Sequence, residues 1–459
     1  MRLAYANLVN DDERTLVLLR CCVLKSGKGE EMRKVQPTIA IVGSGPSGCY
    51  VAQFLRKKWP DAEITVFESL PVPYGLVRYG VSSDHQGTKS VTAQFDRLFE
   101  RDGVHFAGNV RVGADVAFES LSHHFDVVVL AMGLKGDRRL AVDVAPGCSV
   151  IGAGAVLRAL NGYPETDLPR LGDGTLAPLG ERVAVVGNGN VAMDVIRLLC
   201  KPRAAFTGTD IDDQRLDALR AARIKSIDVF GRSPATDAKC DLSMLKEILV
   251  LPSVRVGITG LEDDEDCPVA SLLRASAMAN AMEGTEIQVN FHFSAVPCSV
   301  KSGAGVNMLS VERVHDRLPR EFAVHSLITA IGFTNGTVMG GHAEHAGWVG
   351  SNVFRVGWLN RDGKGTIADN RRDAKAVAET IIQRIEAGEL ALKGLGFKSV
   401  EGQIGHAIVN FDGWRRIDAY ERTSAAQNRC RRKITDVAEM ILIAASRLPE
   451  RRAGIPITV

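Results

Sequence analysis

Two glycine fingerprints occur in one 459-residue chain, Gly43-Ser44-Gly45-Pro46-Ser47-Gly48 and Gly187-Asn188-Gly189-Asn190-Val191-Ala192. Each follows a run that reads as a buried strand and opens one that reads as a helix. The glycines allow a tight turn and a close backbone approach to a pyrophosphate, and the free N–H groups of the helix start supply a partial positive charge. One GxGxxG alone is weak evidence, because glycine-rich turns are common; two in the same strand–turn–helix setting are far more specific. The chain is therefore expected to be α/β with two Rossmann-like dinucleotide-binding domains. Two such sites imply two cofactors, and the usual reason to hold two dinucleotides together is to pass electrons between them.

The residues beyond each turn distinguish the two sites. After Gly48 an apolar helical run leads to Pro60 and to the strand Glu63-Ile64-Thr65-Val66-Phe67, which closes on Glu68. An acid there accepts hydrogen bonds from ribose hydroxyls and repels a 2′-phosphate, so this site calls for FAD or NAD. After the second turn, Ser226-Ile227-Asp228-Val229-Phe230-Gly231 ends on Arg232 and Ser233 with no acid. An arginine in that place suits a 2′-phosphate and calls for NADP.

The composition narrows the remaining classes. With 56 basic and 54 acidic residues the net charge is +2, which gives no nucleic-acid signal. No apolar run reaches the roughly 20 residues that cross a bilayer. The nine cysteines are scattered and form no C-x-x-C or C-x4-C pair, so neither the dithiol of a flavin disulfide reductase nor a resident iron–sulfur cluster is expected. That usage suits a reducing compartment, the cytoplasm, or the mitochondrial matrix for a eukaryotic source. The acidic stretch Glu262 to Asp266 reads as a solvated loop, and no metal site is expected. Residues 1–36 read as a non-catalytic extension: Asp11-Asp12-Glu13 is unsuited to a secretory or mitochondrial leader, and a start at Met32 would lose nothing the fold needs.

A more specific pattern lies between the fingerprints: Pro71-Val72-Pro73-Tyr74-Gly75-Leu76-Val77-Arg78-Tyr79-Gly80-Val81, then Ser83-Asp84-His85-Gln86-Gly87-Thr88-Lys89. With the stretch from Gly187 to Asp194, Phe230-Gly231-Arg232, the run Phe354 to Arg361, Gly365-Thr366-Ile367 and the tail Phe411-Asp412-Gly413-Trp414, it resembles the adrenodoxin reductase type of NADPH:ferredoxin oxidoreductase. The resemblance covers nearly everything from residue 37 onward. It implies an NADP domain inserted into a discontinuous FAD domain, with limits at 37–140, 141–332 and 333–459. The apolar runs 125–133 and 327–332, each closed by glycine, fit the seams, since parallel strands buried on both faces read this way.

The same resemblance assigns residues. Gly43, Gly45, Ser47, Gly48, Glu68, Leu76 and Val116 would serve the adenosine and pyrophosphate end of FAD, and Trp358, Gly365, Thr366 and Ile367 its flavin end. Asn188, Gly189, Asn190 and Val191 would cradle the NADP pyrophosphate, with Arg232 and Ser233 at the ribose phosphate. His85 and Asp194 would be the catalytic pair. Read as residues alone, His85 and Trp358 fit a structural role, and Asp194 fits a helix start. The implied activity carries electrons from NADPH through FAD to a small acidic [2Fe–2S] ferredoxin, with the enzyme a monomer. Docking candidates are the basic patches Arg415-Arg416 and Arg429, Arg431, Arg432 and Lys433, although either patch alone reads as an ordinary solvated helix face.

One departure is visible. The family pattern has two adjacent arginines after the strand and a glutamate a dozen positions on, whereas this chain has Arg232, Ser233 and Met244. A weaker preference for NADPH over NADH is expected. The rival readings are a monooxygenase, a glutamate-synthase-like flavin subunit and a non-catalytic redox sensor. The second normally carries cysteine clusters ahead of its first turn, where only Cys21 and Cys22 stand.

Overall fold

A computed structural model describes residues 36–261, 265–278, 287–303, 305–314, 317–334 and 347–446. All of the expected N-terminal extension but Gln36, including Cys21, Cys22 and Met32, lies outside the described residues, as do positions 262–264 of the acidic stretch.

The first sheet comprises β1 (Thr38–Val42), β2 (Glu63–Glu68), β3 (His105–Gly108), β4 (Val127–Leu130) and, from far along the chain, β17 (Val353–Arg355). All neighbours are parallel, in the order β17-β4-β1-β2-β3. Every residue of β1 and β4 is buried, and the alternation of a strand explains how. Ile39 and Ile41 pack against the helices Pro46–Lys58 and Ile367–Glu386, while Ala40 and Val42 turn to the opposite face and meet Val110, Phe118 and Phe125. Covering both faces is what allows a parallel sheet to be apolar throughout.

After β4 the chain crosses over through β5 (Gly136–Asp137), then β6 (Asp143–Val144) and β7 (Val150–Gly152). The second sheet adds β8 (Arg182–Val186), β9 (Ser226–Phe230), β10 (Val254–Thr259), β11 (Ile287–His292) and β15 (Ser326–Thr329). Its order is β10-β11-β9-β8-β15-β7, again all parallel. Val183 and Val185 face helices, whereas Ala184 and Val186 face a layer that the sequence reading did not anticipate. This layer is an antiparallel sheet of β12 (Ala295–Ser302), β13 (Asn307–Arg313) and β14 (Pro319–Val324), with β6 added parallel at its edge. Ala295, Val300, Leu309, Val311 and Val324 are buried side chains that it turns inward.

The chain returns through β16 (Phe333–Thr334), which pairs antiparallel with β5. The outward and return crossings therefore lie side by side. The apolar run 125–133 contains β4 and the run 327–332 all but the first residue of β15, and both are buried interior strands of their sheets.

A second tie joins the lobes. The Lys89 ammonium donates to Asn161 Oδ1 (2.6 Å) and to both Asp210 oxygens (2.7 and 2.9 Å). From the C-terminal segment, Lys433 Nζ donates to the Arg78 carbonyl (2.9 Å) and the same Asn161 oxygen (3.2 Å), and pairs with Asp210 (2.8 Å). Nearby, the buried Glu421 carboxylate accepts from Arg78 and Arg431. Burial would push the Asp210 carboxyl up, but Lys433 and Lys89 hold it at about 2.

This tie corrects the docking expectation. Arg429 pairs with Asp213, Arg431 with Asp418 and Glu421, and Lys433 is buried. Residues 429–433 are not a helix face, and only Arg432 of that patch is exposed. Four charges in five residues look like a surface until their carboxylate partners, 10 to more than 200 residues away in sequence, are seen. Arg415 likewise pairs with Glu100 (3.2 Å), and Arg416 donates to the Ala444 carbonyl.

Candidate active site

The two fingerprints fold into nearly identical turns. Gly43 and Gly187 have φ of +107° and +114°, and their N–H groups donate to Phe67 O (2.8 Å) and Phe230 O (2.9 Å) at the ends of β2 and β9. A Cβ on Gly43 would lie 2.6 Å from Ala131 O, and one on Gly187 would collide with Ala330 O. Both positions are closed to any side chain. Gly45 and Gly189 differ: each caps the following helix, and a Cβ there would meet no protein atom within 4 Å. That open space lies in front of the free N–H groups of the helix start, where a pyrophosphate needs it. In the second turn the buried Nδ2 of Asn188 has no hydrogen-bond partner among the described residues and lies against Gly231. An unmatched buried donor beside an open glycine fits an acceptor-rich ligand. Both cradles thus suit the groups expected of them.

Glu68 ends β2 facing the first turn. One oxygen accepts from Ser44 N (3.1 Å) and Ser44 Oγ (2.6 Å), the other from Ser69 Oγ (3.1 Å) and Leu70 N (3.2 Å). The carboxylate is thereby fixed in direction while remaining half-exposed. The Pro71-to-Lys89 segment is tied to the same turn: Tyr74, at φ +83°, donates its N–H to Ser44, and Gly75 sits over Gly45. Leu76 is thus brought to the fingerprint, half-buried. Val116 is 1% exposed and packed in the apolar core, and its carbonyl accepts from Gly113 N (2.7 Å).

At the other end of the first site the loop 357–367 meets the helix start, since a Cβ on Gly357 (φ +77°) would collide with Ser47 Oγ. Trp358 is half-buried, stacks on Phe333 with ring centres 5.0 Å apart, and donates its indole N–H to Gly365 O (3.0 Å). Thr366 caps the helix Ile367–Glu386 in a capping box with Asp369. Two helix starts, at Pro46 and Ile367, thus converge on Ser47 and Asn370.

His85 and Asp194 come together from different lobes, with His85 Nδ1 3.8 Å from Asp194 Oδ1. Asp194 does not cap its helix; it accepts from Arg197 Nη2 at 2.6 Å. Burial, helped by the neighbouring Asp84 and Glu247 carboxylates, outweighs Arg197 and pushes the Asp194 carboxyl up to about 7. Burial and Arg197 press the His85 imidazole below its ordinary range. Sequence reasoning missed Asp84, Arg197, Lys201 and Glu247, which complete the cluster. A signal for Arg197 existed: it interrupts the apolar run Val195-Ile196-Arg197-Leu198-Leu199 of the second helix, and a charge there must be buried and paired. Glu247 had no such signal.

Of the residues expected at the NADP ribose, Arg232 is exposed and Ser233 half-exposed, and Lys239 is exposed nearby in sequence; neither cation has an ion pair among the described residues. Met244 packs against the core of the second lobe. Asn190 Oδ1 accepts from Asp241 N (2.7 Å), which fixes the neighbouring loop. Among the described residues no helix is long and apolar enough to cross a membrane, and no His, Cys, Asp and Glu cluster is arranged for a metal ion.

A parallel sheet with a glycine turn, a second such sheet inserted into it, and a polar cluster where the two meet define a two-dinucleotide flavin oxidoreductase. Residues 37–207 match the pyridine nucleotide-disulphide oxidoreductase family. The chain is 40% identical to cindoxin reductase of Citrobacter braakii across 91% of its own length and 93% of that protein's. It is 28% identical to the mitochondrial NADPH:adrenodoxin oxidoreductase of Drosophila melanogaster across 91% and 96%. Among solved structures, Mycobacterium tuberculosis FprA in complex with NADPH superposes with a TM-score of 0.77 at 27% identity, covering 90% of this chain and all of that one. The chain belongs to the adrenodoxin reductase type family of ferredoxin–NADP reductases, FAD-containing oxidoreductases that use NADP(H).

Proposed function

We propose that this protein oxidises NADPH and reduces a small one-electron carrier, an acidic [2Fe–2S] ferredoxin, working as a monomer whose inserted nucleotide domain spans residues 141–332. The observation that carries the reading is the meeting of His85, from the segment that follows the first fingerprint, with Asp194, from the helix that opens the second. When bound, FAD supplies the conversion between a hydride and single electrons. The chain's own part is to bind and orient. Gly45 and Gly189 leave room for the two pyrophosphates, Glu68 selects an unphosphorylated ribose, and Arg232 offers a charge to a phosphorylated one. His85 and Asp194 meet where the two lobes face each other and orient the reacting groups there.

The carrier is proposed to approach a rim other than the basic tail. Leu134 and Gly363 lie against each other, Arg138 pairs with Asp362 (2.6 Å), and the flanking Lys135, Arg139 and Lys364 are exposed, with no ion pair among the described residues. These cations border the loop 357–367. Anaerobic mixing with NADPH, followed by cytochrome c reduction with and without an adrenodoxin-type ferredoxin, tests the function. The expected result is rapid bleaching of the flavin and strong stimulation by the carrier, weakening as salt rises. Bleaching without stimulation by ferredoxin or cindoxin would point to the monooxygenase reading, and slow bleaching or none to the sensor.

A further inference from the structure

Arg197 lies one turn beyond Asp194 on the helix Asn190–Cys200, and its side chain is 2% exposed. Five groups meet its two terminal nitrogens. Nη1 faces His85 Nε2 (2.5 Å) and the Glu247 carboxylate. Nη2 faces Ser82 Oγ (3.0 Å), Asp84 Oδ1 (2.9 Å) and Asp194 Oδ1 (2.6 Å). A guanidinium carries donors only and keeps its charge throughout the working pH range. A ring nitrogen 2.5 Å from it can only accept, so the His85 proton belongs on Nδ1, the nitrogen that faces Asp194.

We propose that Arg197 is a positioning residue that fixes His85 as the neutral imidazole protonated on Nδ1 and binds it, with Asp194 and Glu247, into one constellation spanning the two lobes. Only the choice of assay rests on the electron-transfer reading. A second proton on the ring would set an N–H against the guanidinium and break the contact, so Arg197 opposes the imidazolium. The same cation balances Asp84, Asp194 and Glu247. The other charge in contact is Lys201, 2.8 Å from Asp84 Oδ2, and Glu247 lies 3.7 Å from His85 Nε2. Without the guanidinium, three carboxylates would face one another with Lys201 alone to balance them, and both Asp194 and His85 would hold a proton to higher pH.

The experiment uses the FAD-loaded wild type, Arg197→Gln and Arg197→Lys. Flavin reduction by NADPH is followed by rapid mixing from about pH 5.5 to 9, and 15N-histidine spectra assign the ring proton of His85, its signals identified by their loss in His85→Gln. In wild type, Nε2 should report as the bare nitrogen. Arg197→Gln should move the acid limb of the rate profile up by about one pH unit or more and slow the plateau about tenfold, at near-normal FAD content. Arg197→Lys keeps the charge but loses the fork, so its limb should move less. An Nε2-protonated His85 in wild type, or an Arg197→Gln profile that overlies the wild type, overturns the proposal. Should Arg197→Gln fail to fold, the wild-type spectra and Arg197→Lys still decide it. A wild type that NADPH does not reduce would overturn the electron-transfer reading alone, because the proton assignment is measured independently.

Discussion

At the scale of single residues, glycines that look equivalent in a fingerprint have different duties. Gly43 and Gly187 are required by the protein itself, through positive φ and contact with a carbonyl, whereas Gly45 and Gly189 are open toward the ligand. Gly43→Ala should therefore lower the melting temperature of the FAD-free protein, at a cost of about 1–3 kcal/mol or more. Gly45→Ala should leave that temperature nearly unchanged and weaken FAD binding about tenfold or more, read from fluorescence of the released flavin. Equal melting losses in both variants would refute this division. The proposed nucleotide choice also rests on single residues. Arg232 stands exposed and unshared, and Ser233 supplies only a hydroxyl, so Ser233→Arg should raise the NADPH-to-NADH ratio of kcat/KM by roughly tenfold to a hundredfold, and Arg232→Ala should abolish the preference. A wild type that strongly prefers NADH would show that the arginine was misassigned. The turn geometry of the fingerprints and the setting of Glu68 beside the first turn were legible because they are local to a turn. Arg197 and Glu247 act across helices, between residues far apart in the chain.

At the scale of elements, the tie of Lys89, Asn161, Asp210 and Lys433 holds together three stretches of chain that share no local pattern. Removing one partner of a buried ion pair leaves the others uncompensated, at a cost of about 3–5 kcal/mol. Asp210→Asn strands two lysines and should lose about that much in a urea melt at pH 7. Because the carboxyl is held at about 2 in the folded state, below its ordinary value, its contribution is full above about pH 4 and is lost as pH falls through about 2. The gap between wild type and Asp210→Asn should accordingly close in acid; a gap that stays constant down to pH 2 would contradict the ionic account. The inner parallel strands β1, β4 and β8 could be read in advance as nearly unbroken apolar runs. The antiparallel layer of β12, β13 and β14 could not, because its strands alternate weakly and their meaning depends on the sheet they cover. The basic tail misled for the same reason: charge is visible in a sequence and its partner is not.

At the scale of the whole molecule, electron delivery depends on where unshared positive charge lies. Of the tail's cations only Arg432 is exposed, whereas Lys135, Arg139 and Lys364 stand together on the rim of the loop 357–367 with no ion pair among the described residues. Lys135→Glu combined with Lys364→Glu should raise the KM for a ferredoxin about tenfold at low ionic strength, converge with wild type at high salt, and leave reduction of ferricyanide unchanged. An unchanged KM would move the docking surface elsewhere. The paired crossings β5 and β16 have a further consequence. The inserted lobe hangs from a stalk whose two strands lie side by side, so to the rest of the protein it is a cassette with adjacent ends. A lobe of different nucleotide taste can be grafted at this one place without recutting the flavin sheet, on condition that the newcomer brings its own Asn161 and Asp210 to receive the two waiting lysines.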